Sequence, residues 1–301
     1  MKEEFDTSII WTQLWAKKIF VVLFTAVFTM GSVFYALSLP NKYRSEAVLI
    51  ASASEKQGGL SSIASQFGGL ASLAGVSLGA GATGHVTIQR LKSRDFITSF
   101  IDKHELLVPL FAAKGWDPKS LQFTYENQKK YDFEAKKWIR EIKYPLTAKP
   151  SADEAFLLFS KSYHVDMDRK TKIIRVSFES LAPEISQQWL NWLVADFNEY
   201  VRSIDIKESS KNLEYLSRQI EKTSMSEMQE VFYSLIEEQT KKFMLAEVQE
   251  QYAVKTIDSP ALASTRSSPR RAVITIAGTL MGAILSSGIV LLLFFRRQSK
   301  K

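Results

Sequence analysis

Two long runs of apolar residues interrupt an otherwise mixed pattern of polar and apolar positions. The first run, Ile19–Leu39, is 21 residues long, and the second, Ala272–Phe295, is 24 residues long; neither contains a charged residue. A helix needs about 20 apolar residues to cross the hydrocarbon core of a bilayer. The pattern therefore predicts transmembrane helices at residues 19–39 and 272–295, with residues 40–271 between them.

Basic residues beside the two runs indicate the orientation of the chain. Lys17 and Lys18 precede the first run, and two arginines and two lysines follow the second. Lysine and arginine near the ends of a span favour the cytoplasmic side, whereas long loops are exported largely regardless of their charge. We therefore predict cytoplasmic tails at residues 1–18 and 296–301. A cleaved signal peptide is the alternative for the first run, but such peptides have a shorter apolar core, about 7–15 residues.

The region after the first run begins with a strand pattern and a glycine-rich stretch. Tyr43–Ala51 predicts a strand, whereas residues 52–84 hold 8 of the 13 glycines and predict a mobile loop, because glycine weakens helices and strands. The apolar stripe of His85–Leu107 predicts a helix. Asp117 is expected to cap another helix that starts at Pro118, since proline suits the first helical position.

Further along, the pattern predicts a hairpin followed by two long helices. Apolar residues alternate in His164–Asp168 and Lys172–Glu179, as in two strands joined by a turn. Apolar residues three and four positions apart then predict a helix from Pro183, a break at Lys222–Ser226, and a further helix to about Gln249.

The last part of this region leads back to the second apolar run. Tyr252–Asp258 predicts a strand, and residues 259–269 form a Pro/Ser linker that includes Pro260, Ser268 and Pro269. The strand after the first span and the strand before the second can pair with each other. The predicted fold is therefore an α+β periplasmic domain with long helices, flanked by two transmembrane helices.

Composition narrows the function classes. The chain has a net charge of +7, but most of that excess lies beside the two apolar runs, where basic groups favour anionic lipid headgroups. This distribution argues against a nucleic-acid partner. The chain has no cysteine, which excludes disulfides and thiol chemistry.

Several stretches, in their order along the chain, resemble the Wzz family of polysaccharide co-polymerases. They are Pro40–Arg44 (PNKYR), Leu91–Arg94 (LKSR), Asn198–Arg202 (NEYVR) and Leu235–Asp258. The family's proline-rich linker is matched at Pro260 and at Ser268–Pro269, while serine and alanine replace two of its other prolines. Each motif is weak alone, and the resemblance rests on their order and on the paired spans.

The resemblance implies a function and partners. Members of the family form a bell-shaped homo-oligomer in the inner membrane and act with a Wzy-type polymerase. The chain is accordingly expected to set the length of O-antigen or a related surface polysaccharide, with contact to the nascent polymer left open. Relatives with a fused tyrosine kinase carry a phosphate-binding loop, and no G-x-x-x-x-G-K-[ST] occurs in this sequence.

Two groups of residues are candidate packing or interface sites. Gly278 and Gly282 form Gly-x-x-x-Gly in the second run, with Ser286 four residues further, a small-residue stripe that lets another helix approach. Its partner is expected to be the first span, through Ala26 and Gly31, or a polymerase helix.

The second group lies on the long helix that begins at Pro183. Asn198 and Arg202 are spaced i, i+4 there and are expected to have a structural or interface role.

Residues that suggest catalysis have simpler explanations. The three histidines are far apart and lack metal-ligand spacing. Asp166 and Asp168 could form a carboxylate pair, but a solvent-facing strand before a turn accounts for them better. Trp189, Trp192 and Tyr200 could form a sugar-stacking platform, but core packing accounts for them better. We predict no catalytic, cofactor-binding or metal site.

Other function classes remain as alternatives to a non-enzymatic length regulator. A two-span periplasmic sensor needs a cytoplasmic output domain, and the tails at residues 1–18 and 296–301 are expected to be too short to hold one. A capsule or exopolysaccharide export component would share the same architecture. A periplasmic sugar-processing enzyme lacks a convincing site.

Overall fold

A computed structural model describes residues 15–52, 81–125, 130–144, 146–223 and 225–298. The chain divides into two compact units, one formed by Met1–Lys42 with Thr265–Lys301 and the other by Tyr43–Ser264. Parts of three predicted segments lie outside the described residues. They are the N-terminal tail up to residue 14, the glycine-rich loop from 53 to 80, and the last three residues of the C-terminal tail.

The first unit is built from two apolar helices, α1 (Lys18–Ser38) and α8 (Arg271–Gln298). Both are long and apolar enough to cross a membrane, and most of their surface is not buried inside the protein, as it would be for the core helix of a soluble domain. Before α8 lies a short strand, β9 (Arg266–Ser268), within the segment predicted to be only a linker.

Two hydrogen bonds fasten the segments that adjoin these helices. The hydroxyl of Ser267 donates to the carbonyl of Lys42 at 3.1 Å. The guanidinium of Arg271 donates to the side-chain oxygen of Asn41 at 3.1 Å. The segment that follows α1 is thereby held by polar contacts to the first residue of α8 and to the segment before it, within the first unit.

The second unit contains an antiparallel sheet with the strand order β6-β7-β1-β8. Its strands are β1 (Lys42–Ala51), β6 (Tyr163–Met167), β7 (Ile173–Ser180) and β8 (Val254–Asp258). β1 lies between β7 and β8, so the strand that follows α1 pairs with the strand at the far end of this unit. The predicted pairing of these two distant strands is confirmed.

One face of this sheet is buried by helices. Ile174, Val176 and Phe178 alternate on β7 and are almost fully buried, as the period of two in the sequence requires. The ring of Phe178 lies 5.0 Å from Phe159 and 5.4 Å from Trp189, which belong to two helices covering this face. The other face carries charged residues such as Glu46 and Arg175 together with the apolar Val48 and Ile50. The predicted α+β class with apolar helices at both ends is confirmed.

The first helical region differs from its prediction. Instead of one helix over His85–Leu107, there are α2 (Gly81–Leu91), α3 (Arg94–Lys103) and α4 (Leu107–Ala112). The break between α2 and α3 has a local cause. The hydroxyl of Ser93 accepts a hydrogen bond from the backbone N–H of Phe96 at 3.3 Å, so Ser93 starts a new helix as its N-cap. α2 also begins inside the segment that was predicted to be a loop.

The predicted helix from Pro118 is wrong. Two short hairpins follow α4, the first formed by β2 (Ala113–Asp117) and β3 (Gln122–Tyr125), the second by β4 (Tyr131–Asp132) and β5 (Lys137–Trp138). Asp117 caps the turn of the first hairpin. Its carboxylate accepts bonds from the hydroxyl of Ser120 and the backbone N–H of Lys119, and these bonds lower the pKa of Asp117.

The dipeptide Asp-Pro occurs at the start of tight turns and at the start of helices. It therefore could not distinguish the hairpin turn from the predicted helix.

α5 (Ala152–Ser160) precedes β6. The two long helices match their predictions closely, because α6 (Pro183–Lys222) and α7 (Ser226–Val248) are separated at the predicted break. α6 and α7 run antiparallel, with Lys242 against Asp205 at 3.2 Å and Asn212 against Gln239 at 3.3 Å.

Candidate functional site

The two apolar helices pack against each other at the predicted glycines. A Cβ atom added to Gly278 would overlap the side chain of Ser32 on α1. A Cβ atom on Gly282 would lie 2.7 Å from Cβ of Phe28 and 3.3 Å from Cα of Thr25. Contacts this close exclude a side chain, so both positions need glycine for α1 and α8 to approach as they do.

Hydroxyl groups accompany this close approach. The hydroxyls of Thr29 and Thr279 are 3.0 Å apart and form a hydrogen bond between the helices. Ser286 is completely buried, and its hydroxyl donates to the carbonyl of Ala283 at 3.0 Å. Hydroxyl groups of this kind form hydrogen bonds with their own helix or with the neighbouring helix. They can therefore be buried in apolar surroundings without a large cost in free energy.

The residues of α1 that meet the glycines were not the expected ones. Ala26 is exposed, and a Cβ on Gly31 would meet nothing within 4 Å. The helix surface used is instead that of Thr25, Phe28 and Ser32. The small size of Ala26 and Gly31 did not identify the face of α1 that meets α8, because a glycine on α8 leaves room for a large side chain such as Phe28.

The linker residues fall in different units. Pro260 is buried in the second unit, where its carbonyl accepts a bond from the side-chain amide of Gln187 at 2.9 Å. Ser268 ends β9 in the first unit, and the peptide bond between Ser268 and Pro269 is cis.

Asn198 is buried and holds the start of strand β8 through hydrogen bonds, and we call this side chain the clamp on β8. Its side-chain oxygen accepts from the backbone N–H groups of Ala253 and Val254 at 2.8 and 2.9 Å. Its side-chain amide donates to the carbonyls of Val254 and Val194 at 3.1 and 3.3 Å. Every polar atom of this side chain is therefore used inside the chain to hold the start of β8 against α6.

Arg202 does not share this role. It lies one turn further along α6, is partly exposed, and pairs with Glu199 rather than with Asn198. The expected i, i+4 neighbours therefore face different surroundings, one buried against β8 and the other toward solvent.

A second buried polar group on α6 was missed in the sequence. Asp205 is almost fully buried and accepts a hydrogen bond from the hydroxyl of Tyr252 at 2.8 Å, with Lys242 at 3.2 Å from its other oxygen. Asp205 lies two helical turns after Asn198, on the same face of α6. A polar pair at i, i+7 on an otherwise apolar helix face was the signal that could have revealed it.

The two aspartates considered as a catalytic pair have different surroundings. Asp168 belongs to a turn, where backbone N–H groups of Thr171 and Lys170 lower its pKa. Asp166 lies exposed on β6. Over the described ranges, no three His, Asp or Glu side chains are grouped in a way that could hold a metal ion.

The tryptophans and one histidine have packing roles. Trp189 is buried against Phe178, whereas Trp192 stacks on His104 with ring centroids 4.4 Å apart. His104 in turn contacts the carboxylate of Asp196 at 2.7 Å. The two tryptophans therefore do not form one sugar-stacking platform.

A comparison with protein families finds a match in the N-terminal part of the chain. Residues 3–104 match the family model Wzz, described as "Chain length determinant protein". The resemblance to the Wzz family is confirmed. The matched segment covers about one third of the chain and runs from before α1 to the end of α3. The Gly-x-x-x-Gly stripe and Asn198 lie beyond it.

Solved structures give two further similarities. A "full-length bacterial polysaccharide co-polymerase" is 15% identical with a TM-score of 0.39, and the alignment covers 96% of this chain and 97% of that one. A "Fragment of WzzB, Polysaccharide Co-polymerase from Salmonella Typhimurium" is 14% identical with a TM-score of 0.33, covering 76% and 100%. No curated protein sequence matches the chain.

Proposed function

We propose that this protein is a non-enzymatic regulator of the chain length of a surface polysaccharide, O-antigen or a related polymer. The observation that carries the proposal is the match of residues 3–104 to the Wzz chain length determinant family. The two apolar helices α1 and α8 give the chain the means to anchor both ends of such a regulator in the inner membrane. Residues 40–271 would then lie in the periplasm, and both termini in the cytoplasm.

A regulator of this kind acts on a polymerase rather than on a substrate of its own. In the described residues His104 packs on Trp192 and Asp168 belongs to a turn, so neither is part of a catalytic group. The proposed partner is a Wzy-type polymerase in the same membrane, with contact to the growing polymer in addition.

Self-association is part of the same proposal. α7 keeps large apolar side chains on its surface although α6 covers its other side. Those exposed by more than two fifths are Met228, Val231, Tyr233, Met244 and Val248. Burying some of these side chains against a second copy removes apolar surface from water, and a head-to-tail contact that closes gives a ring.

Deleting the gene and separating the surface polysaccharide on a gel tests the function. Loss of a length regulator changes the distribution of chain lengths while the sugar composition stays the same. A sensor changes the amount of polymer, and a processing enzyme changes its composition. An unchanged length distribution in the deletion strain contradicts the proposal.

A pair of reporter fusions tests the orientation. One reporter is inserted at Lys119, which lies in an exposed turn, and the other follows Lys301. The proposal requires opposite compartments for the two, since a single span separates each tail from the central region. The same compartment for both fusions contradicts it.

A further inference from the structure

A loop between β5 and α5 presents apolar side chains to solvent at its tip. Ile142, Tyr144 and Leu146 are 37%, 96% and 45% exposed, although they lie close together in the sequence. Single exposed apolar residues are common on protein surfaces, whereas a contiguous group marks a site of contact with a partner or a membrane. This loop is therefore a candidate docking surface.

A turn at the tip of the loop brings these three residues together. The backbone N–H of Leu146 donates to the carbonyl of Lys143 at 3.2 Å, as in a β-turn. Because such a turn reverses the chain within four residues, Ile142 just before it and Leu146 at its end stay close to each other. Tyr144 is the second residue of the turn and protrudes from it. The apolar side chains therefore form one group.

The base of the loop is held by Arg140. Its guanidinium donates to the carbonyls of Ala148 at 2.9 Å and Thr147 at 3.1 Å, and these bonds close the loop. The same guanidinium donates to both carboxylate oxygens of Glu154 at 3.0 and 3.2 Å. Paired bonds between an arginine and a carboxylate fix the geometry of both groups, so the loop is anchored to the start of α5.

Aromatic rings also hold Arg140 in place. Its guanidinium carbon lies 5.3 Å from the ring centre of Phe111 and 5.9 Å from that of Trp138. Only 12% of the Arg140 side chain is exposed, although the tip of the loop that it holds is exposed. A charged residue is thus buried at the base while apolar residues remain outside, which is the arrangement of a preformed contact surface.

The segment that carries this loop is basic, whereas the rest of the second unit is acidic. Residues 113–149 hold nine basic and five acidic residues, a net charge of +4. The remainder of Tyr43–Ser264 holds 19 basic and 24 acidic residues, a net charge of −5. Lys143 in the turn and Lys149 after it are both exposed. The charge of this segment is therefore complementary to an anionic surface.

An anionic bilayer fits both properties of the loop. Apolar side chains beside lysines are typical of segments that lie in the interface of such a bilayer, where the apolar groups reach the acyl chains and the lysines meet the phosphates. Tyrosine is enriched at this depth, because its ring is apolar and its hydroxyl remains hydrated.

A protein partner fits the loop less well. The tip protrudes, so a protein would need a matching apolar depression, whereas a fluid bilayer accommodates a protruding group of any shape. A symmetric contact with a second copy would place two basic segments against each other, and like charges repel. A head-to-tail contact with the acidic part of a second copy is the alternative that the experiment must separate from lipid.

The second unit is tethered close to the proposed membrane anchor. Only residues 39–41 separate α1, which ends at Ser38, from β1, which begins at Lys42. A short tether turns a lipid contact into an intramolecular step with a high effective concentration. A few apolar side chains, too few to bind a free protein to a membrane, therefore suffice here.

We propose that the tip of this loop, residues 142–146, inserts into the interface of an anionic phospholipid bilayer, an inference that rests on the membrane anchoring in the proposed function. Ile142, Tyr144 and Leu146 reach the boundary of the acyl chains, and Lys143 and Lys149 lie among the lipid phosphates. The loop gives the second unit a point of attachment to the membrane in addition to its two chain connections.

Fluorescence quenching by spin-labelled lipids tests the proposal on the full chain in vesicles. The chain has no cysteine, so one introduced cysteine carries an environment-sensitive fluorophore at a single position. Tyr144→Cys places the label at the tip, and Tyr215→Cys places it at an exposed tyrosine of α6 as the matched control. In vesicles that contain phosphatidylglycerol, we expect lipids labelled near the headgroup to quench the fluorophore at 144 and not at 215.

Two outcomes overturn the proposal. Equal quenching at positions 144 and 215, including none at either, shows that the tip has no specific contact with lipid. A blue-shifted emission at 144 that spin-labelled lipid does not quench shows burial against protein, which is the contact with a second copy.

A label within α1 separates this inference from the proposed function. Val27 is exposed on α1, and a label on Val27→Cys is quenched by lipids labelled deep in the acyl chain wherever α1 spans the bilayer. Quenching at 27 without quenching at 144 overturns the loop contact and leaves the proposed anchoring intact. Absence of quenching at 27 contradicts the anchoring itself, and the loop contact with it.

Lysine variants of the labelled Tyr144→Cys protein test the role of charge. We expect Lys143→Gln to lower the insertion equilibrium of the tip about fivefold in phosphatidylglycerol vesicles, the effect of one lysine near an anionic surface, and to leave it unchanged in phosphatidylcholine vesicles. Lys255→Gln removes an exposed lysine from β8 and should behave as the parent protein does. Equal effects of the two lysine variants overturn the assignment to an anionic lipid surface.

Discussion

The helix pair of the first unit and the sheet domain of the second are stabilised by opposite means. The pair α1 and α8 depends on missing side chains, because Gly278 and Gly282 let Ser32 and Phe28 approach the backbone of α8. The sheet domain depends on large side chains, with Phe178 and Phe197 buried in one cluster. In lipid, apolar burial gives no drive between helices, whereas in water it dominates. The same chain therefore uses close packing in one unit and apolar burial in the other.

Buried polar groups show the same contrast. In the sheet domain Asn198 and Asp205 each have several partners, and these partners come from segments far away in the sequence. In the helix pair, hydroxyls bond mainly to their own helix, as Ser286 does, with Thr29 and Thr279 as the cross-helix bond. A substitution should thus cost most where it empties the sheet core or unpairs a buried amide.

The largest expected effect is in the core of the sheet domain. Phe197→Ala removes a fully buried ring that contacts Phe96 at 5.2 Å. We expect a loss of about 3–5 kcal/mol in the free energy of unfolding, from the lost transfer free energy and the cavity left behind. Chemical denaturation of the full chain in detergent measures it. A loss below about 1 kcal/mol would mean that this core is not what holds the domain together.

The next largest effect is at the clamp on β8. Asn198→Ala leaves the backbone N–H groups of Ala253 and Val254 without their acceptor, and we expect a loss of about 2–3 kcal/mol. Arg202→Ala, one turn away, is the matched control and should cost less than about 0.5 kcal/mol, because its pair with Glu199 is near the surface. Similar losses for the two variants would show that Asn198 is no clamp.

Substitutions at the glycines of α8 should affect the packing of the helix pair rather than its insertion into the membrane. Gly278→Leu with Gly282→Leu keeps the segment apolar, so we expect normal membrane insertion but separation of α1 from α8 and loss of length control. Gly288→Leu is the control, because a Cβ there meets nothing within 4 Å. Crosslinking between cysteines introduced at positions 29 and 279 reports the pairing.

Two outcomes of this comparison are informative. Loss of the crosslink in the double variant, with retention in Gly288→Leu, supports close packing between the two helices. Polysaccharide banding like the wild type at equal protein level in the double variant would refute a role of these glycines in length control.

The smallest expected effect concerns a partly buried ion pair at the start of α5. Arg140 binds both oxygens of Glu154, and this hydrogen bonding lowers the pKa of Glu154. A depressed pKa in the folded state means that the stabilisation is present above the unfolded pKa and is lost as pH falls through the folded one. Unfolding free energy should therefore drop by up to about 1 kcal/mol on acidification, and Glu154→Gln should remove that component. Identical pH profiles for both proteins would contradict the assignment.

Local patterns predicted much of this fold, and they failed where partners are distant. The apolar runs predicted α1 and α8 closely, and the polar interruption at Lys222–Ser226 marked the end of α6. The hairpin at Asp117 was missed because Asp-Pro begins turns and helices alike. The break at Ser93 was missed because an apolar stripe can continue across two helices that share one core.

The candidate site was less predictable than the fold. The glycines Gly278 and Gly282 could be found from their spacing, but their partners on α1 could not, since the spacing on α8 does not specify which face of α1 meets it. Asn198 contacts residues 55 and 56 positions away, and no local pattern encodes such a contact.

The most direct test of the account is the length distribution of the polysaccharide when the wild-type chain is returned to a strain that lacks it. The account predicts that the deletion strain makes polymers without a preferred length and that expression of this chain restores a defined cluster of bands, with sugar composition constant. An unchanged band pattern between deletion and restored strains, at verified expression in the membrane, would contradict the claim that this protein regulates polysaccharide length.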